Sequence, residues 1–263
     1  MKMITMMKQW AALAAVMLGL SLLGVQPAQA ITCEVSPKEI PITMLYHGAK
    51  LTISGQSAAS DDLVLKISTD PHDTAMKRYG KVGGVIWMKN STLEFKGVPA
   101  VYLLNTTADL NRILDDASRA EYQLGYDALG KAVTIEDKKG DAVEHDKWFD
   151  HFIRFKQKEA VYNIQQGTIT RQHGEKGNTF EIVVDWPYQA APGTYNVELL
   201  AVNNGKVVDK ASTSFEVKRE GMVASLSKMA IDQALLYGIM AVIVALAAGL
   251  AVGAIFKKGG GAH

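Results

Sequence analysis

The stretch that decides the fold is residues 191–208, APGTYNVELLAVNNGKVV. Within it, the alternation of 195–202 (YNVELLAV) predicts a β-strand, and Asn203-Asn204-Gly205 predicts a tight turn into a second strand over 206–217. Upstream, FEIVV at 180–184 predicts a further strand. Successive strands joined by such short turns indicate the closing strands of an immunoglobulin-like β-sandwich.

The first half of the chain is also rich in predicted strands. Short apolar or alternating runs at 40–42, 51–54 and 63–68 are separated by turn-forming residues. The runs 85–88 and 93–95 are predicted to pair across a turn at Asn90-Ser91.

Two helical insertions interrupt the strands, near 108–124 and near 146–162. In the second, Trp148, Phe149 and Phe152 recur at helical spacing, which favours packing in the core over stacking against a ligand. The predicted fold class is therefore mainly β with helical insertions (α+β), with an immunoglobulin-like sandwich as the main domain.

The N-terminus has the pattern of a secretory signal. Lys2 and Lys8 precede the uncharged run 11–24, and Ala28-Gln29-Ala30 is a small-x-small cleavage site. Cleavage between Ala30 and Ile31 is predicted. The alternative is a retained N-terminal anchor, which the shortness of the apolar run disfavours because a bilayer core is about 30 Å thick.

A second membrane signal lies near the C-terminus, where 235–256 carries no charged residue and is long enough to span a bilayer. Lys257 and Lys258 follow it directly and indicate that the tail is cytoplasmic. The alternative, a buried core helix, would need protein around its whole circumference.

The predicted order is a signal peptide (1–30), a β-rich extracytoplasmic domain or two subdomains (31–217), a juxtamembrane segment (218–234), a transmembrane helix (235–256) and a cytoplasmic tail (257–263).

A stripe of small residues runs along this predicted membrane helix. Ala241, Ala245, Gly249 and Gly253 recur every four residues, and small residues allow another helix to approach closely in lipid. They are the candidate packing residues for a partner helix. The alternative is that alanine and glycine are simply common in such helices.

The glycines at 80–84 (GKVGG) raise the alternatives of a phosphate-binding loop and a turn. Phosphate loops lie between a strand and a helix N-terminus, whereas a predicted strand follows these glycines. The turn is favoured.

Candidate catalytic and metal-binding patterns are weak in this sequence. His145, Asp146, Asp150 and His151 form the densest metal candidate, but residues 145 and 151 point to different faces of a helix. There is no G-x-S-x-G motif, and the single cysteine, Cys33, can form no internal disulfide and is predicted to be buried. No catalytic residue, cofactor or metal is predicted.

Four blocks of the sequence, at 35–55, 82–104, 191–208 and 234–258, are similar to a known family. The chain resembles the alphaproteobacterial-type transmembrane proteins, which have a signal peptide, an extracytoplasmic domain and a C-terminal anchor. The resemblance implies no assigned biochemical activity. Members are often encoded beside exporters of sulfite or organosulfur anions, so it also implies a link to such an exporter.

Two classes of function follow from these patterns. The first is a non-enzymatic accessory subunit in the bacterial inner membrane, with its main domain in the periplasm and a multi-span transporter or a second copy as partner. The second is a periplasmic ligand-binding protein or hydrolase whose site is assembled from distant residues. With 28 Lys+Arg against 27 Asp+Glu, a nucleic-acid partner has no electrostatic support.

Overall fold

The structure is a computed structural model that describes residues 30–58, 61–82, 85–174 and 177–258. Most of the predicted signal peptide, Gly83-Gly84 and the end of the tail lie outside these described residues. The strands are β1 (Glu34–Ser36), β2 (Glu39–Ile42), β3 (Ala49–Ser57), β4 (Asp62–Ser68), β5 (His72–Val82), β6 (Ile86–Val98), β7 (Tyr102–Thr106), β8 (Thr134–Asp137), β9 (Tyr162–Gln165), β10 (Thr170–Gly174), β11 (Gly177–Trp186), β12 (Gly193–Asn203) and β13 (Lys206–Arg219).

Six helices accompany these strands in the described part of the chain. They are α1 (Leu110–Ile113), α2 (Asp116–Glu121), α3 (Tyr126–Ala132), α4 (His145–Lys158), α5 (Gly221–Asp232) and α6 (Ala234–Lys258).

The strands form three sheets. Sheet A has the order β1-β3-β11-β10, sheet B the order β2-β13-β12-β4-β7-β9, and sheet C the order β5-β6-β8. All neighbours are antiparallel except the pairs β2–β13 and β7–β9. The fold is therefore mostly β, with three sheets and one C-terminal apolar helix. The immunoglobulin-like form stays a prediction.

The predicted hairpin at 195–217 is confirmed. β12 and β13 pair from Gly193 opposite Val217 to Asn203 opposite Lys206. Asn204 and Gly205 have φ of 50° and 83°, the left-handed conformation that a two-residue hairpin turn requires. Asparagine and glycine adopt it at the lowest steric cost, so the residues of the turn fix its geometry.

Sheets A and B pack against each other through three aromatic rings. The Trp186 ring of β11 meets Tyr195 of β12 and Phe215 of β13 at centroid distances of 4.5 Å and 4.9 Å, both edge to face. Tyr195 and Phe215 lie 5.4 Å apart. All three are almost fully buried, so this cluster is part of the hydrophobic core.

Helix α4 covers the junction between sheets B and C. Its Phe152 stacks on Phe95 of β6 at 4.6 Å and meets Tyr162 of β9 edge to face at 5.7 Å. Phe149 and Ile153 are also buried, whereas Trp148 is half-buried. The aromatic face of the predicted second helix is thus core, as the spacing indicated.

The predicted turn at Asn90-Ser91 is wrong. β6 runs from Ile86 to Val98 and pairs with β5 on both sides of a β-bulge at Asn90, where Arg78 faces Ser91 and Tyr79 faces Lys89. Val82 pairs with Ile86, so two strands and no helix flank the glycines, in keeping with the turn interpretation.

Candidate functional site

Helix α6 is the one described helix that is long and apolar enough to cross a membrane. Its apolar stretch, Ala234–Ala254, has a mean hydropathy of 2.5, and none of it is buried within the structure. The observed helix, Ala234–Lys258, contains the predicted span at 235–256 and both Lys257 and Lys258. A helix of this length and polarity needs lipid or another apolar helix around it.

The small-residue stripe of α6 is open. Ala241, Ala245, Gly249 and Gly253 are all exposed, and a Cβ atom built on either glycine would meet no other atom within 4 Å. Steps of four residues place them along one side of the helix. The rest of the described chain therefore leaves this side available to lipid or to another helix.

The direction of β13 defines a membrane end of sheet B. β13 ends at Arg219 and leads through α5 into α6, and β2 ends beside it with Ile42 opposite Arg219. β12 begins at this same end, with Gly193 opposite Val217. The loops 43–48 and 187–192 therefore lie there, and they carry three highly exposed apolar or aromatic side chains: Met44, Leu45 and Tyr188.

Helix α5 lies between this end and the membrane helix. Its sequence, GMVASLSKMAID, is amphipathic, and none of its residues is buried in the structure. At 100° per residue, Met222, Val223, Leu226 and Met229 share one side, while Ser225, Lys228 and Asp232 share the other. Such a helix suits the boundary between headgroups and acyl chains.

The end of the β5–β6 hairpin is a second exposed apolar surface. We call residues Tyr79–Lys81 with Val85–Lys89 the hairpin tip. Within it, Val85 is 81% and Trp87 66% exposed, although both side chains are apolar. Lys81 pairs with Trp87, and Tyr79 pairs with Lys89. This register places two aromatic rings and two lysines on one face, and Ile86 and Met88 on the other.

A buried polar cluster holds the hairpin at its root. Asp137 of β8 accepts hydrogen bonds from the Ser91 hydroxyl (2.7 Å), the Arg78 guanidinium (3.2 Å) and the Lys139 backbone N–H (2.8 Å). These bonds, the one from Lys139 first, hold the pKa of the Asp137 carboxyl below its ordinary value. β8 pairs with β6 only at Leu93–Lys96, so the hairpin tip is a two-stranded ribbon.

A cleft of about 890 Å³ lies between α3 and α4. Tyr126, Lys131, His145, Asp146 and Asp150 are among the residues that line it. A concave site that combines apolar, polar and charged side chains is typical of ligand-binding and catalytic sites, so this cleft is a candidate for chemistry.

The imidazole of His145 is already used for structure. Its Nε2 lies 2.9 Å from the Val133 carbonyl oxygen and its Nδ1 lies 3.1 Å from the Asp146 carboxylate. Both partners are acceptors, so the ring satisfies them only when both nitrogens carry a proton. The Val133 carbonyl and then Asp146 accordingly raise the pKa of His145. A histidine held as a double donor is poorly suited to act as a general base.

The four residues considered as a metal candidate do not come together in one place. His145, Asp146 and Asp150 line the cleft, but His151 lies against Trp148 instead, with ring centroids 5.5 Å apart. Throughout the described ranges, no group of three or more His, Cys, Asp or Glu side chains could hold a metal ion.

A smaller cleft of about 270 Å³ beside β4 holds charges that neutralise one another. Lys66 lies 2.7 Å from the Glu198 carboxylate and donates a hydrogen bond to the Tyr122 carbonyl at 3.0 Å, and Lys210 also bonds Glu198. Burial acts to raise the pKa of Glu198, but the bonds from the two lysines outweigh it and leave that pKa lowered. These groups stabilise the fold.

The residues flanking the predicted cleavage site are described. Ala30 is exposed, whereas Ile31 is buried and its backbone nitrogen lies 3.0 Å from an Asp209 carboxylate oxygen. Cys33 is half-buried, and burial, with a further contribution from Glu34, raises the pKa of its thiol to about 11. Cleavage itself stays a prediction.

Sequence reasoning identified the membrane helix and its stripe but missed the hairpin tip. The available signal is the composition of 77–89, which contains apolar and aromatic residues together with lysine and arginine and no acidic residue. The prediction of a strand over 85–88, paired with 93–95, does not by itself indicate that the side chains of this strand are exposed.

The comparisons with known proteins agree with this architecture. No curated protein matches the chain. The family described as "Putative transmembrane protein (Alph_Pro_TM)" matches residues 30–258, which include every described strand and the membrane helix. The chain therefore belongs to this family of transmembrane proteins.

Proposed function

We propose that the protein is a non-enzymatic accessory subunit of the bacterial inner membrane, whose ectodomain lies in the periplasm and whose single span joins a membrane complex. In this proposal sheets A and B form an immunoglobulin-like sandwich that α6 anchors. The observation that carries it is the open side of α6, where Ala241, Ala245, Gly249 and Gly253 contact nothing in the described ectodomain. A neighbouring helix can approach such a side closely.

The proposed partner is a multi-span transporter. Because family members are often encoded beside exporters of sulfite or organosulfur anions, an exporter of that class is the first choice. A second copy of the chain is the alternative partner, since an open small-residue side serves a homodimer equally well.

The rival function is that of a periplasmic ligand-binding protein or hydrolase, and the cleft between α3 and α4 favours it. Its lining combines Tyr126, Lys131 and three aspartate carboxylates with apolar side chains. The accessory role is preferred because both ring nitrogens of His145, the imidazole in that lining, are bonded.

The orientation is tested by reporter fusions. A reporter joined after residue 263 should be active only in the cytoplasm, and one joined after residue 200 only outside it, because Lys257 and Lys258 hold the end of α6 on the cytoplasmic side. Activity is measured with an enzyme that works in one compartment only. The opposite pattern would overturn the proposed location.

The accessory role is tested by replacing both glycines of the stripe. Gly249→Ile together with Gly253→Ile should weaken association by about 1–2 kcal/mol or more at each substituted position, because isoleucine pushes the helix backbones apart. The measurement is a pull-down of the tagged full-length protein in mild detergent, with all co-purified membrane proteins identified.

The matched control changes another side of the same helix. Val244→Ile adds a methyl group on the side of α6 opposite the two glycines and should leave recovery unchanged. A multi-span transporter recovered with wild type but not with the glycine variant would support the accessory role, and self-association alone would indicate a homodimer. If wild type retained nothing, the accessory role would fail and the cleft beside His145 would become the main candidate.

A further inference from the structure

We propose that the hairpin tip is a second membrane contact, which enters the headgroup region of an anionic bilayer beside α6. This inference concerns the lipid surface and does not depend on any protein partner. Four features of the hairpin support this contact: the side chains at its tip, their charge, the place where the hairpin leaves sheet B, and the length of the hairpin.

The side chains of the tip suit an interface between water and lipid. Trp and Tyr are enriched at this depth of a membrane because one part of each ring system is apolar and another can hydrogen-bond. Here Tyr79 and Trp87 share one face of the ribbon, while Ile86 and Met88 supply aliphatic surface on the other. Val85, at the turn, is the most exposed of these side chains. In water this surface has no apolar cover from the described chain, and lipid would provide one.

The charge of the hairpin complements anionic headgroups. Between Thr74 and Leu93 there are four basic residues (Lys77, Arg78, Lys81 and Lys89) and no Asp or Glu, which gives this segment a charge of +4 in a chain of formal net charge +1. Arg78 is paired with Asp137 at the root, but Lys81 and Lys89 are exposed beside Trp87 and Tyr79. Lysines flanking an inserted apolar surface can bury their stems and keep their ammonium groups among lipid phosphates.

The hairpin leaves sheet B at the membrane end. β4 and β13 are both antiparallel to β12, so β4 runs towards the same end of the sheet at which β13 finishes. β4 stops at Ser68, and the short connection 69–71 leads into β5. Near this connection, Asn196 of β12 donates a hydrogen bond to Asp70 at 2.9 Å. The exposed Met44, Leu45 and Tyr188 lie at the same end, so the hairpin starts beside other exposed apolar side chains.

The hairpin is long enough to reach the bilayer. The eleven residues of β5 span about 36 Å at about 3.3 Å per residue. Ser68 of β4 pairs with Asn196 of β12, which also pairs with Ser214 of β13, so these three residues lie at the same level of sheet B. From Ser214, β13 continues to Arg219 over about 17 Å. The twelve residues of α5 add at most about 18 Å before α6 begins. If α5 lies in the plane of the interface it adds almost no depth, so the membrane helix starts about 17–35 Å beyond the level of Ser68, and a hairpin of about 36 Å is long enough to reach that depth in either case.

The test places an environment-sensitive fluorophore on a single new cysteine in the full-length protein. Val85→Cys puts the label at the tip, and Val208→Cys is the matched control, the same change at an exposed valine near the other end of β13. Cys33 can stay in place, because its thiol is half-buried and burial raises its pKa to about 11, so it should be labelled more slowly at pH 7 than an exposed thiol. Wild-type protein controls for residual labelling.

Each labelled protein is incorporated into nanodiscs of phosphatidylcholine, with and without phosphatidylglycerol. Quenching by doxyl groups on the lipid is compared with quenching by iodide in the water. The label at residue 85 should be quenched by lipid and shielded from iodide, more strongly with phosphatidylglycerol, and the label at residue 208 should show the reverse. Lys81→Gln and Lys89→Gln should each lower the ratio of inserted to free tip about fivefold in the anionic discs.

Two results would overturn the proposal. The first is that iodide quenches the label at residue 85 as strongly as the label at residue 208 in both kinds of disc. This result would mean that the tip stays in water and that its apolar surface serves a protein partner instead of lipid. The second is shielding from iodide without quenching by lipid, growing with protein concentration, which would mean that a second copy covers the tip. Trp87→Ala in the Val85→Cys protein is a further check, since it should reduce lipid quenching without altering the unfolding temperature.

Discussion

Replacing Gly55 by alanine should lower the free energy of unfolding by about 3 kcal/mol, near the upper end of overpacking effects. A Cβ atom at Gly55 would lie 1.9 Å from the backbone carbonyl oxygen of Thr32 and 2.9 Å from the ring of Phe180. The Thr32 carbonyl cannot rotate away as a side chain can. The segment that begins at Ile31 would have to leave its place on β3.

The cost follows from what that segment contributes. Ile31 is buried, with only 8% of its surface exposed. Thr32 bonds Gln56 twice, through its N–H to the Gln56 carbonyl at 3.1 Å and through its hydroxyl to the Gln56 N–H at 2.9 Å. The Ile31 nitrogen reaches Asp209 of β13, so the segment joins sheet A to sheet B. Displacing the segment would break all of these interactions together.

Gly80→Ala is the matched control for this prediction. Gly80 also lies in a strand, but its added Cβ would meet only Asn90 atoms at 3.7 Å, an ordinary contact. Its unfolding free energy should stay within about 0.5 kcal/mol of wild type. Both variants are measured on the full-length protein in mild detergent by urea unfolding, followed by tryptophan fluorescence. Equal stability of the two variants would show that Thr32 does not lie over Gly55.

The same segment bears on the proposed cleavage. If processing occurs between Ala30 and Ile31, the nitrogen that lies 3.0 Å from the Asp209 carboxylate becomes a free ammonium group. The hydrogen bond would then be strengthened by opposite charges. A chain cut one or two residues later would lack the buried Ile31, and cleavage before Ile31 stays a prediction.

The elements predicted correctly from the sequence are those whose signal is local. The β12–β13 hairpin has both an alternating pattern and an Asn-Gly turn. In helix α4 the aromatic residues recur at helical spacing, and α6 contains an apolar run without charged residues that is long enough to span a bilayer. In each case the residues that specify the element lie within the element itself.

The elements that were missed depend on distant partners. β5 reads HDTAMKRYGKV, which has no hydrophobic alternation, and no residue from His72 to Lys81 is fully buried. β6 was divided at Asn90-Ser91 because these residues favour turns, yet Ser91 is buried beneath Asp137 and bonded to it. Asp137 is 46 positions away in the chain, so no local pattern could indicate that contact. The cleft between α3 and α4 and the membrane end of sheet B likewise exist only after the chain has folded.

Trp186→Ala should lower the free energy of unfolding by about 3–5 kcal/mol, because it leaves a cavity between sheets A and B. Trp186 is 2% exposed, and its ring contacts Tyr195 and Phe215 edge to face. Alanine would remove both ring contacts together with most of the buried apolar area at this position. The measurement is urea unfolding of the full-length protein in mild detergent.

Trp186→Phe distinguishes the contribution of the aromatic ring to stability from that of the indole N–H. The indole N–H of Trp186 is buried and has no hydrogen-bond partner among the described residues, so phenylalanine removes an unsatisfied donor while keeping an aromatic ring. Its cost should be about 1 kcal/mol, well below that of alanine. If alanine cost no more than phenylalanine, the two sheets would not share a core at this point.

Trp186 pairs with Ala49 at the start of β3, directly after the loop that carries Met44 and Leu45. The same ring cluster therefore stiffens the end of the ectodomain that we propose to face the membrane.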